Sequence, residues 1–321
     1  MKIMDQIVTT IVSKLEQGVV PWHQPWNGGG QPGRNVIYNK PYRGVNWFIT
    51  ALSDYACSYW LTFNQAKQLG GHVIKGQKGT RLVYVNWKEV EKNNKKTLIP
   101  VYGTTVVYNL LQCEIPHINL PMYAVNELTT PQTRLDQSQR LIQAEQIVEG
   151  YIDCPKISHL SNRAFYQPNI DIINMPVFST FLTPEDYYAT LFHEIIHSTG
   201  GQHRLDRPEI TTDAYTFGSY QYGVEELIAE MGSARLCWQA GIYEHTVDQS
   251  ASYIDNWITA IREKPSIILT AAARAEAAAD YVLGVEGEDD ERRHDGGHPQ
   301  EHTEHGNGSQ PKVPVLGAHV Q

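Results

Sequence analysis

The sequence predicts an α+β protein of two domains, a mixed α+β front half followed by a mainly helical back half. Three observations carry this reading. The chain has 321 residues, more than one small domain usually needs and enough for two cores. Between residues 81 and 110 the helical spacing of apolar residues gives way to β-branched and aromatic runs. Beyond residue 134 helical patterning returns and, apart from short runs such as IDIINM (170–175), dominates to residue 284. The expected organisation is therefore a domain over 1–118, a linker over 119–133, a second domain over 134–284 and a tail over 285–321. Pro116, Pro121 and Pro131 mark the turn-rich boundary.

Each element follows from local pattern. Ile3, Ile7, Ile11 and Leu15 form an i, i+4 stripe broken by Asp5, Lys14 and Glu16, which is an amphipathic helix and not a signal peptide. GVVPWHQPWNGGGQPGRN (18–35) is too rich in Pro and Gly to continue it and reads as a long loop. Helix is expected over 46–60, then a short helix in TFNQAKQLGG, opened by a Thr62/Gln65 capping box and closed by Gly70 and Gly71. RLVYVNW (81–87) and LIPVYGTTVVYNL (98–110) read as strands, with EKNNKK as the turn between them. The second half opens with a helix to about residue 149.

Composition narrows the class. Hydrophobic residues make up 41% of the chain and aromatic ones 10%, and no apolar run is long enough for a membrane span. Cys57, Cys113, Cys154 and Cys237 lie far apart with no CxxC spacing, so zinc ribbons and redox pairs are not indicated. A soluble, cytoplasmic protein with no membrane partner is expected. The tail over 285–321 is acidic, rich in His and nearly free of apolar residues, and is expected to be disordered. His294, His298 and His302 in it read as solvated side chains rather than ligands.

The net charge of −9 hides a division. Residues 1–128 carry 13 Lys and Arg against 7 Asp and Glu, whereas 129–321 carry 13 against 28. The front half is the part a phosphate backbone would meet. Five of the seven tryptophans, Trp22, Trp26, Trp47, Trp60 and Trp87, also fall there. Aromatic faces interleaved with cations suit single-stranded DNA, whose bases stack while the cations follow the phosphates. The candidate contacts are Trp22, Trp26, Arg34, Tyr42, Arg43, Lys75, Lys78, Arg81 and Trp87. Trp47 and Trp60 fit a small core equally well. GGHVIKGQKGT lacks the spacing of a P-loop, and its Lys75, Lys78 and neighbouring Arg81 read as backbone contacts.

A second site is written into TPEDYYATLFHEIIHSTGG (183–201). Thr183 as N-cap, Pro184, the early acids Glu185 and Asp186, and the closing Gly200 and Gly201 define a helix. With 3.6 residues per turn, His193 and His197 leave one face and can share a Zn²⁺ ion at about 2.0–2.1 Å. Glu194 can then take a proton from metal-bound water. The alternative is a buried helix with incidental His, so a third ligand is needed. YGVEELIAEMGSARLCWQ (222–239) offers Glu225, Glu226 and Glu230, which repel one another unless a cation holds some of them. Glu226 is the preferred ligand, with Glu230 behind it orienting His193; a solvated acidic helix start is the alternative. Two His and one Glu leave a fourth position open, as in catalytic zinc sites, and make peptide hydrolysis the first reaction class to consider. Manganese or cobalt is not distinguished from zinc by the residues. Tyr215, Tyr220, Tyr222 and His203 are unranked candidates for the oxyanion donor.

NKPYRGVNWFIT, YWLTFNQAKQLGGHVIKGQKGTRLVYVNW and VVYNLLQCE together resemble the N-terminal domain of ArdC-type antirestriction proteins of conjugative plasmids. HEIIHSTGGQHRLDR and FGSYQYGVEELIAEMGSARL resemble the zincin-like metallopeptidase domain that follows it in that family. The resemblance covers about residues 3–283; Tyr108 and Gly223 stand where such proteins often carry Phe and Ala. It implies single-stranded DNA binding by the first domain, a metal in the second, and protection of incoming plasmid DNA from host restriction. By motif position it implies metal on His193, His197 and a glutamate of EELIAE, with Glu194 as the base. Three functions fit: a DNA-binding protector, a protease acting on a restriction endonuclease or other DNA-bound protein, and a structural zinc domain on a DNA-binding module.

Overall fold

A computed structural model describes residues 3–18, 20, 33–51, 53, 55–92, 95–129, 135–211, 220–242 and 254–285. Trp22, Trp26, Tyr215 and the tail from residue 286 lie outside these, and so does the side chain of Trp87. Helix α1 (Ile3–Glu16) buries Ile11 and Leu15 of its expected stripe. Strand β1 (Arg34–Asn35) is followed by α2 (Val45–Ala51), which buries Val45, Trp47 and Phe48. The helix expected over 46–60 stops there, and Tyr59–Thr62 form strand β2. Tyr59, Trp60 and Leu61 are buried in succession, a pattern that suits a strand covered on both faces.

Helix α3 (Phe63–Gln68) has the anticipated Thr62/Gln65 capping box, and Gly70 leaves it at φ +71°. After β3 (His72–Val73), β4 (Thr80–Lys92) and β5 (Lys95–Asn109) form one long hairpin. Its register runs from Thr80 opposite Val107 to Lys92 opposite Lys95, so most of EKNNKK is strand, not turn. The sheet order is β1-β2-β5-β4, and β6 (Cys113–Glu114) pairs with β3. Helix α4 (Met122–Thr129) occupies the stretch read as linker. Pro121 stands just before its first turn, where a missing N–H costs nothing.

The back half begins with α5 (Gln137–Gly150), capped by Asp136 and Gln139. Strands β7 (Lys156–Ser158), β8 (Phe165–Gln167) and β9 (Ile172–Asn174) form a sheet in the order β7-β9-β8. Among the described residues five helices follow: α6 (Pro184–Thr199), α7 (Pro208–Thr211), α8 (Tyr220–Ala240), α9 (Ile254–Glu263) and α10 (Ile267–Leu283). No helix among the described residues is long and apolar enough to cross a membrane.

The chain is long enough for two cores, and among the described residues the largest apolar cluster draws on both halves. Ile11, Leu15, Trp47 and Phe48 pack in it with Trp257 and Ile261 of α9 and with residues of α6, α8 and α10. Trp47 meets Trp238 of α8 edge to face at 6.4 Å between centroids. Ions reinforce this junction: Arg43 pairs with Asp280 and, at 3.4 Å, with Glu276, which Arg235 holds from α8 at 2.6 Å. Trp60 lies instead in a small cluster with Leu82 and Val107. Trp47 and Trp60 are thus core residues.

Candidate metal centre

The site is built from two helices that touch. Helix α6 starts at a Thr183/Asp186 capping box with Pro184 in its first turn. Glu185 in that turn is buried, held by Arg140 of α5 at 2.9 Å. Helix α8 packs against α6 at Gly232, where an added Cβ would stand 2.9 Å from carbons of the Ile196 side chain. That close approach lets side chains from one helix reach those of the other.

His193 and His197 turn their Nε2 atoms toward one point, 3.1 Å apart. Glu226 joins them from α8, with Oε2 at 3.4 Å from His193 Nε2 and Oε1 at 3.5 Å from His197 Nε2. A tetrahedral ion bonded at about 2.0–2.1 Å separates its donors by about 3.3 Å, so these spacings fit a bound metal. His193, His197 and Glu226 are the one such donor group among the described residues.

The outer nitrogens are also occupied. Glu230 Oε1 lies 3.8 Å from His193 Nδ1, close enough for charge attraction and too far for a hydrogen bond. His197 Nδ1 donates to Glu225 Oε1 at 3.1 Å. Glu225 is fully buried and clamped by Arg207, whose Nε lies 2.9 Å from Oε2. The same guanidinium donates to the carbonyl of Ile196 at 2.7 Å and to Thr199 Oγ1 at 2.6 Å, closing the end of α6. Sequence reasoning assigned an orienting role to Glu230 and none to Arg207. The available signal was charge: three carboxylates within two turns need more than one divalent ion, and HRLDR supplies the second cation.

These charges set the protonation of the metal-free site. Burial pulls the His193 imidazole down, but the Glu226 hydrogen bond and the charges of Glu230, Glu226 and Glu194 outweigh it, raising His193 to about 10. Glu194 is buried beside both imidazoles. Desolvation lifts its carboxyl above the ordinary value, against the pull of His193, His197 and the Tyr166 backbone N–H. A carboxylate so raised is a stronger base than an exposed one, the direction a proton acceptor needs. Burial opposes ionisation of Glu226, yet His197 and His193 hold it down to about 2, helped by the Tyr222 hydroxyl. Tyr222 therefore touches the donor group, whereas Tyr220 and His203 are exposed.

The front-half candidates divide. Lys75, Lys78 and Arg81 are exposed and make no ion pair among the described residues. Arg34 is half-buried and donates to Asn39 at 3.0 Å. Two others have partners within the molecule: Tyr42, half-buried, packs on the Trp60, Leu82 and Val107 cluster, where burial raises its hydroxyl to about 12, and Arg43 is engaged by Asp280 and Glu276.

Comparison with known proteins agrees with this arrangement. Residues 143–274 match the zincin-like metallopeptidase family, and residues 1–108 match the N-terminal domain of anti-restriction factor ArdC. Crystal structures of the antirestriction ArdC protein from the R388 plasmid, metal-free and Mn(II)-bound, are similar to this chain. Their identities are 31% and 30% and their TM-scores 0.68 and 0.70, each covering 89% of this chain and 98% of theirs. Two Escherichia coli proteins named DNA primase TraC are 33% and 32% identical over 88% and 87% of this chain. This chain spans only 27% and 20% of their length. An uncharacterized protein of Sinorhizobium fredii, y4eC, is 30% identical over 87% of this chain and 91% of its own. With both halves matched in order, and with residues grouped for a divalent metal in the second, this chain belongs to the ArdC family of antirestriction proteins.

Proposed function

We propose that this protein binds single-stranded DNA through its basic front half, acts in the cytoplasm to shield incoming plasmid DNA from host restriction, and carries a zinc peptidase centre in its back half. The observation that carries the DNA reading is the set of exposed cations Lys75, Lys78 and Arg81, which make no ion pair among the described residues, in a front half with 13 basic and 7 acidic residues. A relative named DNA primase, of which this chain spans 27%, supports a nucleic-acid partner. A phosphate backbone would release counterions on these cations, so binding weakens as salt rises.

In the back half, His193, His197 and Glu226 would hold the ion, and the two-His, one-carboxylate donor set suits zinc. When bound, the ion supplies a Lewis acid that polarises a carbonyl and acidifies water. Glu194 is the base beside it; Glu225 and Arg207 fix the His197 ring, and Tyr222 steadies Glu226. A restriction endonuclease or another DNA-bound protein is the corresponding peptide substrate.

The test is plasmid survival in a restricting host for the wild type, Glu194→Gln and a Lys75→Gln/Lys78→Gln/Arg81→Gln variant. Protection lost in the triple variant and kept in Glu194→Gln supports shielding by DNA binding alone. Loss in Glu194→Gln, with metal retained by elemental analysis, makes proteolysis the mechanism. Full protection by the triple variant refutes these cations as the DNA contacts.

A further inference from the structure

We propose that the free end of the β4–β5 hairpin is the arm on which single-stranded DNA stacks; this rests on the single-strand reading above and locates it. Leu82 and Val83 are buried and anchor the hairpin in the domain. Strand β5 pairs with β2 only through Val107, Tyr108 and Asn109. From Tyr84 opposite Gly103 outward, the two strands pair with each other and with no other strand among the described residues. A two-stranded ribbon lacking a third strand or a covering helix is marginal by itself.

This ribbon nevertheless carries Tyr84, Val85, Leu98, Ile99, Val101 and Tyr102, each at least 40% exposed. Apolar side chains on an unsupported ribbon indicate a surface that a partner covers. Charge identifies the partner. Residues 84–103 contain Lys88, Lys92, Lys95 and Lys96 against Glu89 and Glu91, in a chain whose net charge is −9. Glu89 is already paired with Lys96 at 2.8 Å. Lysines interleaved with apolar groups are unlike the core of a protein interface, where Lys is depleted. They match a polyanion with flat apolar faces, which is a single strand.

The two rings leave opposite faces of the ribbon, because Tyr84 pairs with Gly103 and Tyr102 with Val85 at the next position, so a strand that stacks on both crosses the ribbon's edge. Tyr84 lies over Gly103, where an added Cβ would stand 2.3 Å from its Cζ, so one ring face is fixed on the backbone and the ring remains half exposed. Tyr102 stands opposite Val85 in register. Exposed Lys75, Lys78 and Arg81 continue the basic track to the ribbon's base. Gln112 holds that loop by donating to Gln77 Oε1 and the Lys78 carbonyl, both at 3.0 Å. Duplex DNA keeps its base faces stacked internally and leaves the tyrosines uncovered.

The experiment is fluorescence-anisotropy titration of the full-length, metal-loaded protein with a labelled polypyrimidine strand and with a duplex, over a range of salt concentrations. Tyr84→Leu/Tyr102→Leu keeps the apolar cover of the ribbon and removes the π faces. It should weaken single-strand binding about tenfold at every salt concentration, with the salt slope unchanged. Lys88→Gln should lower the slope by about 0.7. Wild-type binding that neither variant alters refutes the ribbon site and leaves the single-strand reading standing. No binding of single strands by the wild type refutes both. Equal losses on strand and duplex refute stacking as the contact.

Discussion

The clamp of Arg207 on Glu225 supports the site in two separable ways. Glu225 is completely buried and Arg207 is 4% exposed, so removing either partner strands a charge in the interior. Arg207→Met and Glu225→Gln should each cost about 3–5 kcal/mol, a fall in Tm on the order of 10 °C for a domain of this size. Arg207→Met also frees the Ile196 carbonyl and Thr199 hydroxyl that the guanidinium satisfies. The double variant removes both charges, so its loss should be smaller than the sum of the two single losses. Metal affinity should behave differently. Glu225→Gln still accepts the His197 Nδ1 proton but no longer raises the basicity of that ring, and should weaken metal binding about 10–100-fold. Adding Arg207→Met cannot restore it. Calorimetric unfolding and competitive zinc titration of the four proteins measure both quantities. Unchanged metal affinity in Glu225→Gln, or additive destabilisation in the double variant, would refute the argument.

Metal uptake should release protons and strengthen with pH. His193, raised to about 10 by its carboxylate neighbours, is charged at neutrality and must lose that proton to bind a cation. Titration calorimetry in two buffers of different ionisation enthalpy reads the release, and its absence would refute the assignment. Stability should fall in acid: despite burial, Arg207 and His197 hold the Glu225 carboxyl below its ordinary 4.5. Its contribution is present above that pH and lost as pH falls through the lowered folded value, which denaturant titrations from pH 6 to 3 check. Gly232→Ala should cost about 1–3 kcal/mol and lower metal affinity by pushing α8 away from α6, with Ile196→Val relieving both defects. Arg43→Gln should lower Tm and leave the salt dependence of DNA binding intact, whereas Lys78→Gln should lower the salt slope by about 0.7 with Tm unchanged.

What could be read in the chain was what depends on neighbours within a few residues. The helix carrying His193, Glu194 and His197 follows from its cap, its period and its closing glycines, and those same local rules put both imidazoles on one side. The Thr62 capping box and the β4–β5 hairpin are of the same kind. Sequence alone favoured Glu226 within EELIAE as the third donor and gave the orienting role to Glu230, but it gave Glu225 no partner, because those contacts depend on how closely two helices approach at Gly232. Nor did it place Arg207 beneath Glu225, engage Arg43 with Asp280, or join α1 and α2 in one core with α6, α8, α9 and α10. Those pairings join residues distant in sequence, and burial selects them by requiring each charge taken from water to find its opposite wherever the chain has folded.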